Sequence, residues 1–257
     1  MATVSASGEP VPDKNGVMMY DYGGSVGTVY NPKVVAQHGI KNYDNYLATG
    51  DAQARQAFIN SADWLAGHAT DRGGYSIWQY DFRWSSYGGI APPYSSALAQ
   101  AEGVYLLAMA HNVTGDARYL AEAKKAFGAF LVGYEEGGVA SDEGRDSIFL
   151  QLLAKPGLDK TYVLNGHTNS LLFVWKYYEY THDYRALIVF GKGVNWLVEN
   201  LQKYDSGEWS YYDQMGNRAR DNYHQGHIIQ LSKLHDITGE PALKEYSDRF
   251  ASYGQGL

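Results

Sequence analysis

One short motif recurs four times in this chain and leaves few folds open to it. Thr49-Gly50-Asp51, Thr114-Gly115-Asp116, Thr181-His182-Asp183 and Thr238-Gly239-Glu240 stand roughly 60 residues apart. Each lies between two stretches of helical periodicity. A Gly or His that can end a helix, followed by an acid suited to the start of the next, is the chemistry of a tight helix-helix turn. Four helical hairpins are therefore expected.

The helix before each turn is the more apolar of its pair. Ser95 to Val113 carries Ala, Leu, Val and Met on all sides, and Tyr162 to Thr181 carries Leu171, Leu172, Phe173, Val174 and Trp175. Hydrophobicity all round a helix means burial. The helix after each turn is one-sided, with Tyr119, Leu120, Ala123, Phe127, Phe130 and Leu131 in one case and Leu187, Phe190, Val194, Leu197 and Leu201 in another. Alternating inner and outer helices predict an all-α fold, an (α/α) toroid of about four hairpins, with Ser95 to Val113, Tyr162 to Thr181 and Asn222 to Ile237 among its inner helices. Short β-like segments at 73–82, 137–139 and 206–213 follow outer helices and should lie at the mouth, where functional residues collect. Residues 17–257 read as one such domain and residues 1–16 as a flexible lead-in.

Composition narrows the partners. The net charge is -7 and no Lys/Arg run occurs, which argues against nucleic acid. No window approaches ~18 uncharged apolar residues, and Met1 to Asn15 has neither a basic nor an apolar stretch. The chain reads as soluble and without a membrane partner. Whether it works in a secreted or periplasmic setting after loss of a leader stays open, as does assembly, a homodimer included. Zero Cys removes thiolate catalysis and Cys-type zinc sites together. The 23 Tyr and 6 Trp suit a sugar-binding cleft, because each ring is apolar with a polar tip, although most should simply pack between helices.

The starts of the inner helices are polar for helices with such apolar bodies: Gln37 and His38, Gln100 and Glu102, Asn165, His167 and Asn169, then Tyr223, His224 and His227. Converging on one mouth, they would line a wet cleft whose helix N-termini favour an anion. Helix capping is the competing reading for any one of them. His224 and His227 share a helical face, but no H-E-x-x-H pattern or supporting carboxylate accompanies them, so no metal or other cofactor is expected. Tyr80 and Asp81 sit in a candidate mouth loop. Asp81, Glu102 and Glu143 are the acids a glycoside hydrolase would draw on. No G-x-S-x-G elbow or phosphate-binding loop is present.

Four ordered blocks carry a family resemblance: Tyr30-Asn31-Pro32 through Val35 to Ile40, Pro92 to Val104, Val163-Leu164-Asn165-Gly166, and Tyr212-Asp213 with Asn222 to Ile228. Together they resemble the C-terminal helical domain of D-glucuronyl C5-epimerases across roughly residues 17 to 253. The resemblance implies an incomplete (α/α) barrel and a uronic-acid polysaccharide or oligosaccharide as substrate, glucuronate being turned into iduronate. It places the family's tyrosines on Tyr212 and Tyr223, with His224 in the same Tyr-His block. Such an enzyme removes the poorly acidic C5 proton, holds the enolate-like species and reprotonates the opposite face. Arg218 and Arg220, between the two tyrosines, are candidates for clamping the substrate carboxylate, and Arg220 with the helix dipole should favour a tyrosinate at Tyr223. Arg83 is a further candidate cation at the mouth.

One departure stands out. Family members carry an acidic-tyrosine-proline run before the Leu-Asn-Gly block, supplying a catalytic Glu, and Phe149 to Pro156 here holds neither acid nor Tyr. Asp146 or Glu143 could take its place. The alternatives are a lyase or hydrolase on the same scaffold, or a glycan-binding protein without activity.

Overall fold

The computed structural model describes residues 8–144 and 146–253, as two compact units, Met1–Ala129 and Phe130–Leu257. The first holds a three-stranded antiparallel sheet, β1 (Glu9–Pro12), β2 (Met18–Asp21) and β3 (Thr28–Val29), then helices α1 (Pro32–Thr49) and α2 (Ala52–His68). Two small antiparallel pairs follow, β4 (Thr70–Asp71) with β5 (Ser76–Ile77) and β6 (Gln79–Tyr80) with β7 (Tyr94–Ser95), and helices α3 (Ala97–Thr114) and α4 (Ala117–Phe127) close the unit. The second unit opens on an antiparallel hairpin, β8 (Ala140–Gly144) and β9 (Ser147–Leu150). It continues with α5 (Leu164–Thr181), α6 (Tyr184–Asn200), α7 (Asp221–Thr238) and α8 (Pro241–Ser252). Among the described residues no helix is long and apolar enough to cross a membrane.

The repeated motif makes the four turns. Gly50, Gly115 and Gly239 close their helices in the left-handed region at φ 71°, 72° and 73°, and His182 does the same at φ 50°. Each sends its N–H back to the carbonyl four residues earlier, which satisfies an otherwise orphaned helix-end oxygen. The motif Thr ties the two helices together. Thr114 Oγ1 donates to the Ala110 carbonyl at 2.7 Å while accepting from the Asp116 N–H at 3.1 Å. Asp51, Asp116 and Asp183 act one position earlier than expected, as N-caps whose carboxylates accept from N–H groups of the next helix. Glu240 makes no such bond, and Pro241 begins its helix instead.

Within the first unit α1 packs on α2 and α3, and α3 on α4; within the second, α5 packs on α6 and α7, and α7 on α8. Within each unit, therefore, the helix before one turn neighbours the helix before the next, α1 with α3 and α5 with α7. All-round burial, however, holds only for α3, where every residue from Ala97 to Val104 is buried. On α5 Leu171 and Val174 are buried but Leu172, Phe173 and Trp175 are half-exposed, so apolar character there exceeds actual burial. Gly39 permits the close contact of α1 with α3. A Cβ at that position would stand 2.5 Å from Leu106 Cδ2 and 2.8 Å from Ser61 Cβ.

Within the expected lead-in, residues 9–12 pair with β2 in a regular antiparallel register; residues 1–7 lie outside the described residues. Residues 206–213 take turn character, with the isolated bridge Asp205 to Ser210 and another from Tyr211 to Arg218. The hairpin β8–β9 went unread because Ala-Ser-Asp-Glu-Gly has no apolar alternation to announce a strand.

Candidate active site

In the second unit the starts of α5 and α7 meet. The Leu164 N–H donates to the Tyr212 carbonyl at 2.9 Å, so the loop that carries Tyr212 is fastened to the first residue of α5. Asp213 shapes that loop: its carboxylate accepts from the Met215 and Asn217 N–H groups and from Asn217 Nδ2 at 2.8 Å. The Tyr212 ring then lies 4.8 Å from that of Tyr223, in the first turn of α7. Arg220, exposed, occupies the N-cap of α7. Burial first, then Tyr223 and Asp213, push the Tyr212 hydroxyl above its ordinary pKa against the pull of Arg220. Tyr212 is thus held as a phenol, a proton donor.

The neighbouring histidines have a different task from the one the sequence suggests. His224 Nε2 faces the Phe250 carbonyl at 3.0 Å and must donate to it, so Nδ1 accepts from Ser210 Oγ at 2.8 Å. Ser210 Oγ in turn accepts from His227 Nδ1 at 2.8 Å, which leaves His227 Nε2 buried without a partner among the described residues. His224 is 1 % exposed, and its ring stacks on Trp209 at 3.6 Å. Both of its nitrogens are committed inside the protein, and His224 ties α7 to α8. Burial drives the pKa of His227 down to about 3 and keeps it neutral. Arg218 is drawn onto Trp209, with its guanidinium carbon 4.8 Å from the ring centroid, leaving Arg220 the better placed of the two arginines for a ligand.

His167 is likewise internal. Its Nδ1 accepts from the Leu150 N–H and its Nε2 donates to the Gly193 carbonyl, both at 3.0 Å, pinning β9 and α6 to α5. Burial lowers its pKa to about 4. Asn165, two residues earlier, keeps a buried Oδ1 without a partner among the described residues, and remains a candidate donor-acceptor for a ligand.

Just before α5 stands a cluster whose Lys160 and Tyr162 the sequence reading missed. Glu143 on β8 accepts from Lys160 Nζ at 2.9 Å and Ser141 Oγ at 2.6 Å through one oxygen, and from Tyr162 Oη at 3.0 Å through the other. Asp146, the rival acid, is exposed and faces Lys192 at 3.4 Å. Only the adjacency of Tyr162 to Val163-Leu164-Asn165-Gly166 hinted at it; the pairing with Glu143 is made by the unread hairpin.

The first unit holds a second polar group. Glu102 is 2 % exposed; its Oε1 accepts from Gln37 Nε2 at 2.9 Å, while Oε2 is buried without a partner among the described residues. Burial raises its pKa to about 7, against the opposing pull of Lys33 and Gln37. Tyr80 stacks on Tyr94 at 4.9 Å, and burial raises both hydroxyls. Gln100 is a structural strut instead of a ligand group: it accepts from the Trp78 N–H and donates to the Ser76 and Ala126 carbonyls. Asp81 and Arg83 are exposed. Among the described residues no three His, Asp or Glu side chains are grouped to hold a metal ion.

Comparison with known proteins bears on the fold and the family. A cellobiose 2-epimerase from Bacillus thermoamylovorans B4167 superposes with a TM-score of 0.61 over 86% of this chain and 60% of its own, at 13% identity. An unsaturated glucuronyl hydrolase from Streptococcus agalactiae gives 0.58 over 86% and 57%, at 19% identity. These likenesses show a shared, mostly helical fold. In sequence, an uncharacterized protein of Methanocaldococcus jannaschii is 30% identical over 173 residues, 67% of this chain and 56% of that protein. The D-glucuronyl C5-epimerase of Caenorhabditis elegans is 30% identical over 224 residues, 79% of this chain but 36% of the enzyme, so the chain spans about half, or less, of these relatives. The family profile of the D-glucuronyl C5-epimerase C-terminus matches residues 72–252, a span that takes in the Tyr212–Tyr223 pair, Glu102 and the start of α5. This chain belongs to the D-glucuronyl C5-epimerase C-terminal family.

Proposed function

We propose that this chain catalyses C5 epimerisation of uronic-acid residues in a polysaccharide, on a scaffold of the incomplete (α/α) barrel type. The observation that carries the reading is the Tyr212–Tyr223 pair, set beside Arg220 at the α7 N-terminus and tied by backbone to the start of α5. A uronate carboxylate bound at Arg220 and the N-terminal N–H groups of α7 would have its developing enolate charge met by a cation and a helix dipole. Tyr212, kept protonated by its surroundings, would deliver a proton to one face of C5. That role asks for a general acid of high pKa within reach of the ring, which is what a half-buried phenol beside another phenol provides. Asn165 Oδ1, buried and without a partner among the described residues, would accept from a sugar hydroxyl.

Incubation with a heparosan-type glucuronate polymer in deuterated water, followed by NMR, tests the reading. Deuterium at C5 without chain cleavage is the expected result. Unsaturated chain ends would point instead to a lyase, reducing ends alone to a hydrolase, and silence on every uronate polymer to a glycan-binding role.

A further inference from the structure

We propose that Glu143, gripped by Lys160 and Tyr162 at the entrance to α5, is the second proton-transfer group of this site, so that hairpin β8–β9 supplies the carboxylate that residues 149–156 lack. The inference rests on the epimerase reading above, which needs an acid/base group on each face of C5.

The arrangement is directed rather than incidental. Gln151 Nε2 donates to Ser141 Oγ at 2.9 Å, and Ser141 Oγ donates to Glu143 Oε1 at 2.6 Å, a relay that orients the carboxylate from behind. Tyr162 donates to the other oxygen from a backbone held at φ 50°, a region that aromatic residues avoid. Three rigid partners impose that conformation: Tyr204 Oη donates to the Tyr162 carbonyl at 2.7 Å, Trp196 stacks on its ring at 5.5 Å and 3°, and Phe149 meets its edge at 5.0 Å. A residue kept in strained backbone by its surroundings, with its hydroxyl aimed at a carboxylate, is the pattern of a preorganised site.

The cluster is also reachable. The side chains of Glu143 and Lys160 are 16% and 31% exposed, so a ligand can meet both, unlike the sealed His224 and His167. Although burial pulls the Lys160 ammonium down, its bond to Glu143 outweighs this and holds it charged. Tyr162 stands two residues before Leu164, the residue fastened to Tyr212, which puts this cluster and the proton-donating phenol at the same end of α5.

The step balances without a co-reactant. The C5–H bond breaks, its proton passes to Glu143, and the electron pair moves into the uronate carboxylate as an enolate, whose charge Arg220 and the α7 N-terminus meet. A new C5–H bond then forms on the opposite face with the proton of Tyr212 Oη. Protonated Glu143 and the tyrosinate exchange with solvent to reset the site.

The test compares wild type with Glu143→Gln and Glu143→Ala on the full chain, using the heparosan-type polymer in deuterated water, with thermal midpoints in parallel. Expected is C5 exchange in wild type, a loss of about 10²-fold or more in both variants with midpoints little changed, and recovery of Glu143→Ala by added formate, which no structural role would produce. Exchange at the wild-type rate in Glu143→Gln overturns the assignment, as does a loss in Glu143→Ala that formate leaves untouched while the midpoint falls. Should those variants fail to fold, Glu143→Asp keeps the charge and withdraws the oxygens: lowered kcat at an unchanged midpoint supports the proposal, and unchanged kcat refutes it. A wild type that never exchanges C5 overturns the epimerase reading itself, and this inference with it, an outcome distinct from an active wild type with an active variant.

Discussion

Replacing Glu102 by Gln should stabilise the protein, and only above acid pH. Glu102 is sealed in the first unit with one carboxylate oxygen unpartnered among the described residues, and burial lifts its pKa from 4.5 to about 7. A raised pKa means that the folded state binds this proton more tightly than the unfolded chain does. The contribution of Glu102 to stability is therefore full below pH 4.5, declines as pH rises from there to about 7, and is flat above. At about 1.36 kcal/mol per unit, the decline amounts to roughly 3 kcal/mol, an order-of-magnitude figure. Gln keeps the bond from Gln37 and carries no charge at any pH, so the variant loses this slope. Denaturant unfolding of both proteins at pH 4.5, 6 and 8 should give curves that converge at the lowest pH and separate by about 3 kcal/mol at the highest, while other titrating groups cancel in the difference. A variant equally stable, or less stable, at pH 8 would show that Lys33 and Gln37 hold an ionised carboxylate after all, and the burial argument would be refuted.

Tyr212→Phe and Tyr223→Phe each keep the ring pair, so C5 exchange should fall by about 10²-fold or more for a catalytic hydroxyl while the thermal midpoint barely moves; a lowered midpoint with retained exchange would instead identify a structural hydrogen bond worth about 1 kcal/mol. His182→Gly relieves a left-handed conformation at the α5 C-terminus and should raise stability by about 0.5–1 kcal/mol in chemical denaturation, since Gly takes φ near 50° without the Cβ penalty. Gly39→Ala should cost about 1–3 kcal/mol by the same measurement, because Leu106 and Ser61 already occupy the space a methyl needs.

What could be read from the chain were its local rules. Helix ends are decided by residues within a few positions of one another, so Thr-Gly-Asp and its variants located four turns, and the apolar body of α3 marked a buried helix. The four blocks around Asn31, Gln100, Asn165 and Tyr223 were enough to identify the family. The roles of individual polar residues were beyond reach, because a polar side chain at a helix start has the same sequence appearance whether it faces a ligand or a buried carbonyl. Gln100, His167 and His224 proved to face carbonyls and backbone N–H groups brought in from distant segments: Ala126, Gly193 and Phe250. Likewise Glu143 acquired its meaning only when a hairpin without alternating apolar residues folded it against Lys160 and Tyr162. Short-range capping and periodicity are written in neighbouring residues; whether a hydrogen-bonding group is satisfied, strained or left open depends on partners tens of residues away, and tertiary packing alone supplies those.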